Sequence, residues 1–175
     1  MDAAARLFHS HGYNATGMNE LISEADVAKR TFYKYFNSKT AVLKAYLEAF
    51  DEKLYQSADD YIDGIADPKE QLFCLFDKRL KIQECNGFLG CPFVKINAEL
   101  GINDAEINEL VRKSKSRLKA LIEKLIKSAN ASGKLDDEEL ASLVFLLIEG
   151  ALINSTIFKN EEALKIAKRL VAKLL

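Results

Sequence analysis

Apolar residues recur along this chain at three- and four-residue intervals almost throughout, the spacing of one side of an α-helix. Ala4, Leu7, Phe8 and His11 mark the first such face, and Gly12 is placed to end it. A short second helix is expected from about residue 18 to 25, with Leu21 and Ile22 inward. A third follows Asp26-Val27 and ends near Tyr35-Phe36. Asn37-Ser38 then caps a long fourth helix whose inner face carries Val42, Leu43, Tyr46, Leu47, Phe50 and Leu54. Later starts are signed by caps and prolines. They are Asp67-Pro68-Lys69-Glu70, Cys91-Pro92, Asn103-Asp104-Ala105-Glu106, Asp136 or Asp137 after a Ser132-Gly133-Lys134 break, and Asn160-Glu161-Glu162. The pattern gives about nine helices, no convincing strand and no repeat of fixed period, so the predicted fold class is all-α.

The second and third helices are short and meet at a tight turn, Ala25-Asp26-Val27, which is helix-turn-helix spacing. Two such helices bury too little alone, so the first must pack across them. Leu7, Phe8, Leu21, Ile22, Val27, Phe32 and Phe36 supply that small core. The outer face of the third helix is left with Lys29, Arg30, Thr31, Tyr33 and Lys34, with Tyr35 at its margin. Cations neutralise phosphate, and arginine and threonine also reach base edges in the major groove.

Composition sharpens this reading. The 175 residues carry a net charge of −1, unlike a protein that coats nucleic acid indiscriminately. The charge is unevenly spread. Residues 1–46 hold six basic side chains (Arg6, Lys29, Arg30, Lys34, Lys39, Lys44) against four acidic (Asp2, Glu20, Glu24, Asp26), a net of +2 that leaves −3 for the rest. The stretch from Lys29 to Lys44 holds five of those cations and no acid. It reads as an electropositive stripe, or as an ordinary solvated helix face. Three cysteines, Cys74, Cys85 and Cys91, with no CxxC pair, do not form a disulfide framework. No signal peptide and no apolar run of roughly 18 residues is evident, so a cytoplasmic protein without a membrane span is expected.

The run LFHSHGYNATGMNELISEADVAKRTFYKYFNSKTAVLKAY resembles the DNA-binding domain of the tetracycline-repressor (TetR) family. The likeness rests on Leu7-Phe8, Gly12-Tyr13, Thr16, Ala25-x-Val27, Thr31-Phe32-Tyr33-x-x-Phe36 and Ser38-Lys39 together. It implies a head at residues 1–46 and a helical ligand-binding and dimerisation body at 47–175. It makes Lys29, Arg30 and Thr31 readers of base or phosphate, Tyr33 a phosphate contact, and Lys39 a phosphate clamp at a helix start. Thr16 and Lys34 complete the DNA-facing set. Tyr33 has a second reading as a core aromatic. Two positions depart from the family pattern: Asp26 stands where glycine is usual in the turn, and Arg30 where a small residue is common. Relatives also carry a stretch ahead of the first helix, whereas this chain begins almost inside it, which reads as a trimmed start.

Beyond residue 47 the motifs thin out. Leu140, Leu143, Val144, Leu147, Ile148, Ala151 and Leu152 form one wide apolar face, and Ala163, Ile166, Ala167, Leu170, Val171 and Leu174 another. Glu149-Gly150-Ala151 resembles the family's interface helix, which puts Leu147, Gly150, Ala151 and Leu170 at a homodimer interface, with intrachain core as the other reading. A mostly apolar effector pocket is expected among the middle helices. Its candidate walls are Phe73, Phe76, Phe93, Asn97 and Asn154, with Phe88, Ile96, Leu100, Leu118 and Leu146 further candidates, and the same residues read equally as core. Cys91, beside a helix start at Gly90-Cys91-Pro92, is either a small buried residue or a sensor thiol, with Cys85 as its resolving partner.

An enzyme is not expected. His9 and His11 lie two apart and face different sides of a helix. No HExxH, phosphate loop, GxSxG or metal-spaced cluster occurs, and no catalytic residue, metal or cofactor is predicted. A helical adaptor that binds only protein is the remaining alternative, and the Lys29–Lys44 stripe argues against it. The expected partners are a palindromic duplex operator, a small hydrophobic or aromatic effector that relieves repression, and a second copy of the chain.

Overall fold

A computed structural model describes residues 1–101, 104–129 and 135–175, without the side chains of 57–61. All regular structure in them is helical: α1 (Asp2–Ser10), α2 (Met18–Glu24), α3 (Lys29–Tyr35), α4 (Lys39–Ile62), α5 (Pro68–Cys85), α6 (Pro92–Leu100), α7 (Ala105–Ala129), α8 (Asp137–Phe158) and α9 (Glu162–Ala172). The caps explain the boundaries. Ser38 Oγ accepts from Ala41 N at 3.0 Å, Asp67 Oδ1 from Lys69 N at 2.9 Å, and Asp104 Oδ1 from Ile107 N at 3.0 Å. Asp136 and Glu139 form a reciprocal capping box at the head of α8. Asn103 and the Ser132-Gly133-Lys134 break lie outside the described residues.

The chain packs as two compact units that interleave along the sequence. One comprises Met1–Leu54 and Cys91–Arg112, the other Tyr55–Gly90 and Lys113–Leu175. Packing therefore does not divide at residue 46, because α4 and α7 each run from one unit into the other.

In the first unit Leu7, Phe8, Leu21 and Phe32 are buried, with Ile22 and Phe36 packed against them. Two expected core positions lie elsewhere. Val27 is exposed, since the turn lifts it off the helices. His11 falls past the end of α1, where its Nδ1 meets Glu20 Oε1 at 3.3 Å. The same core takes in Phe93 and Ile96 of α6 and Ile107 and Val111 of α7, with Phe93 edge-on to Phe50 at 6.0 Å. A cross-brace ties α6 to the end of α1. Lys95 Nζ donates to the His9 carbonyl, and Glu99 Oε2 accepts from Asn14 N at 2.8 Å. Gly12 is required there: its φ is +90°, and a Cβ would sit 2.7 Å from Glu99 Oε1.

In the second unit α8 packs on α9 and α5. Its buried side carries Leu140, Ala141, Val144, Ile148, Ala151, Leu152 and Ser155. The α5–α6 connection is held by Gln83, whose Oε1 accepts from Gly90 N at 2.9 Å. By length and composition α8 is apolar enough to cross a membrane, a property that core helices share.

Candidate nucleic-acid interface

Helix α3 is short because its ends are set by backbone geometry. Asp26 adopts φ +50° and turns the chain after α2, while Phe36 is extended and ends α3. Phe32 alone points fully inward, 5.6 Å from Phe36. Lys29, Arg30, Thr31, Tyr33, Lys34 and Tyr35 are all exposed, Tyr35 to 71%. Tyr33 touches only the edge of Phe32, at 6.4 Å and 77°, so its exposure favours the surface reading over the core one. Tyr35 belongs with this set more firmly than its marginal place in the sequence pattern indicated, and Lys34 Nζ lies 5.9 Å from its ring centroid.

The cations of this unit divide sharply by what they touch. Arg6 pairs with Glu24 at 2.8 Å, Lys44 with Glu106, Arg112 with Glu109, and Lys95 with the His9 carbonyl. The bond to Glu106 raises the Lys44 pKa above its usual value. Lys29 and Arg30, by contrast, have no ion pair or hydrogen bond among the described residues. The charge left without a counterion therefore lies on α3.

Two residues expected to face DNA are engaged within the chain. Lys39 is committed within the chain: its Nζ donates to the carbonyls of Tyr13 at 2.9 Å and Thr16 at 3.0 Å, and lies 4.2 Å from the Tyr13 ring centroid. It ties the start of α4 to the α1–α2 turn. Thr16 is 1% exposed, and its hydroxyl donates to the Gly12 carbonyl at 2.7 Å, so it too holds the turn. The Tyr13 hydroxyl shares a 3.0 Å hydrogen bond with Thr40 Oγ1 and completes the knot. A groove of 260 Å³ runs behind α3, lined by Leu21, Val27, Thr31, Tyr35 and Phe36 among others.

The second feature is apolar. Leu146, Ile153, Ile157 and Phe158 on α8, Ile166 and Leu170 on α9 and Leu174 just past its end are exposed, Leu146 to 64% and Ile157 to 66%. Residues 146, 150, 153 and 157 repeat at helical spacing, so Gly150 lies on the same stripe, where a Cβ would meet nothing within 4 Å. Of the expected interface residues, Gly150 and Leu170 are on this open face and Leu147 is half-buried beside it, while Ala151 is buried in its own chain. Leu146, expected at a pocket wall, belongs to the face instead.

The expected pocket residues are divided between the two units. Phe93 is core of the first unit, Phe76 is core of the second, and Phe73 is half-buried with Lys168 Nζ 5.8 Å from its ring centroid. Asn97 and Asn154 are both exposed, and Asn154 Nδ2 donates to the Gly150 carbonyl one turn back at 2.9 Å, so neither is a buried amide awaiting a ligand. Cys91 is the N-cap residue of α6 but makes no side-chain cap bond, and it packs half-buried against the first unit's core. Burial raises the nearby Tyr46 hydroxyl well above its usual pKa, with Cys91 adding to the shift. Burial likewise raises the Cys74 thiol, whereas Cys85 is exposed. Among the described residues no group of three or more His, Cys, Asp or Glu side chains is placed to hold a metal ion.

Comparison with known proteins places these features in a family. The sequence profile described as "Bacterial regulatory proteins, tetR family" matches residues 1–46, and that described as "Tetracyclin repressor-like, C-terminal domain" matches 68–171. The chain is 26% identical over 167 residues to the HTH-type transcriptional regulator LmrA of Bacillus subtilis, covering 94% of this chain and 88% of that protein. It is 25% identical over 161 residues to the HTH-type transcriptional repressor NemR of Escherichia coli, covering 88% and 80%. In fold it is similar to a TetR-family transcriptional regulator of Streptomyces coelicolor, with a TM-score of 0.89 at 20% identity over 98% of this chain and 89% of that one. It is also similar to the reduced form of E. coli NemR, with a TM-score of 0.83 at 23% identity over 99% and 93%.

Proposed function

The chain belongs to the TetR family of bacterial helix-turn-helix transcriptional regulators, and from that premise we propose that it is a homodimeric repressor whose hold on a palindromic operator is relieved by a small hydrophobic or aromatic effector. The observation that carries the reading is the unpaired charge on α3. A cation without a counterion gains most when it meets phosphate, and binding then releases the ions condensed on DNA. Dimerisation is supported by α8, of whose apolar window only 39% is buried within the chain. A helix that is apolar all round needs cover on a second side, and a second copy supplies it symmetrically. A palindromic operator mirrors such a dimer. The protein then works in the cytoplasm, where the DNA is. Repression accords with NemR being named a repressor. The effector must bind the DNA-competent and incompetent states unequally, because equal affinity shifts nothing.

The test is a compound library screened for thermal stabilisation and, in parallel, for operator affinity. A compound that raises the melting temperature and weakens operator binding is expected. Stabilisers that leave DNA affinity unchanged would show that effector binding is not regulatory.

A second reading, in which Cys91 senses oxidants or electrophiles, is favoured by the likeness to NemR, whose structure is that of a reduced form. It expects mild peroxide to modify Cys91 and weaken DNA binding, with Cys91→Ser abolishing the response and sparing basal affinity. Mass mapping that finds modification only at exposed Cys85 would refute it.

A further inference from the structure

The position on α3 that departs from the family pattern is also the one placed to read a base. A helix advances by roughly 100° per residue, so Arg30 points about 160° and Lys34 about 200° away from inward-facing Phe32. Those two form the ridge of the outer face. Lys29 and Tyr33 fall to one side of it, Thr31 and Tyr35 to the other. Thr31 and Tyr35 also line the groove behind the helix, which turns them from the ridge. Of the two ridge residues, Lys34 sits in the last turn and leans on the Tyr35 ring. Arg30 sits in the first turn, the part of a recognition helix that meets base edges, and among the described residues no acid or carbonyl engages it.

Resting on the operator-binding reading above, we propose that Arg30 reads one guanine in each half-site, its guanidinium donating two parallel hydrogen bonds to O6 and N7. Guanine alone presents two acceptors at that spacing in the major groove, and the planar fork of arginine matches them where a point-charge lysine does not. Lys29 and Tyr33 then face one flanking backbone and contribute affinity without base preference.

The experiment selects bound duplexes from a randomised library with wild-type chain, Arg30→Ala and Arg30→Lys. The best site is then tested with 7-deazaguanine, which keeps O6 and loses N7, at each guanine in turn. The wild type is expected to enrich a palindrome with one invariant guanine per half-site, and deaza substitution at that base should cost about tenfold. Arg30→Ala should lose the preference at that position alone, at an unchanged melting temperature because the side chain is exposed. Arg30→Lys should keep overall affinity better than alanine but blur the same position. Unchanged preference in Arg30→Ala, or indifference to deaza substitution at every guanine, overturns the assignment while leaving the regulator reading intact. A wild type that enriches no sequence at all overturns both.

Discussion

Helix α3 and the α8–α9 face are both surfaces the chain leaves unfinished, and they are unfinished in opposite ways. On α3 the excess is charge: Lys29 and Arg30 have no counterion among the described residues, although most other cations of the unit pair with acids or carbonyls. On α8–α9 the excess is apolar area, with Leu146, Ile157 and Phe158 each about two-thirds exposed (64–66%). Unpaired charge suits a polyanion that comes and goes with salt and competitor, since its free energy is screened and released. Uncovered apolar area suits a partner that stays, because burial gains roughly 25 cal/mol per Å² whatever the ionic strength. Gly150 fits the second case. Within its own chain it fills no tight corner, and mid-helix glycine costs about 1 kcal/mol relative to alanine, so a closely approaching partner backbone gives it a use.

The contrast breaks most visibly at the apolar face. Ile157→Glu should convert a dimer to monomers by light scattering, with little loss of monomer stability because the side chain is two-thirds exposed. Operator affinity should fall on the order of a hundredfold, as each half-site is then held independently. A wild type that is monomeric at micromolar concentration would remove the basis for the α8–α9 interface.

A smaller effect separates structural from DNA-facing cations. Lys39→Met should lower stability by about 1–3 kcal/mol, since two carbonyls lose a charged donor, and should weaken binding to all sequences without altering its salt dependence. Lys29→Ala should do the reverse. The melting temperature should hold, and the slope of log affinity against log salt should fall by about 0.9 per subunit. If Lys39→Met reduced the salt slope and Lys29→Ala did not, the division between tied and spare cations would be wrong.

How much of this was legible in the sequence follows from the same contrast. Residues 1–46 combine short-range signals that reinforce one another: Gly12 ending α1, Ser38 capping α4, Phe32 inward on seven-residue α3 and Phe36 packed against the core just past its end. What the sequence did not show there was which lysine is tied within the fold and which is left spare. Lys39 and Lys29 look alike until the Tyr13 and Thr16 carbonyls, more than 20 residues away, are brought beside one of them. In α8 apolar residues lie on more than one side, so periodicity gave one wide face from Leu140 to Leu152 that reads as core and interface together, and only the neighbours within the chain assign Leu140, Val144, Ile148 and Ala151 to the core. The stripe through 146, 150, 153 and 157 became visible only once the intrachain neighbours were placed. The pocket was least legible, because amides such as Asn97 and Asn154 declare nothing about burial in a helix one face of which is wet.

The smallest expected effect tests a residue that belongs to neither excess. Asp26 stands exposed in the turn before α3, at φ +50°, and carries the only acidic charge between Glu24 and the end of that helix. Its conformation is one aspartate tolerates and asparagine tolerates equally. The carboxylate, three residues before Lys29, opposes an approaching phosphate, by the few tenths to 1 kcal/mol typical of exposed charge interactions. Asp26→Asn should therefore tighten DNA binding about two- to fivefold at low salt, with the gain shrinking as salt rises, and leave the melting temperature unchanged. Asp26→Gly removes the same charge and also relaxes the backbone, but it loosens the unfolded chain as well, so it should add little further stability. Equal gains from the two variants identify the charge as the cause. A gain from glycine alone would move the cause to the turn, and Asp26 would then limit how α3 is set rather than what it meets.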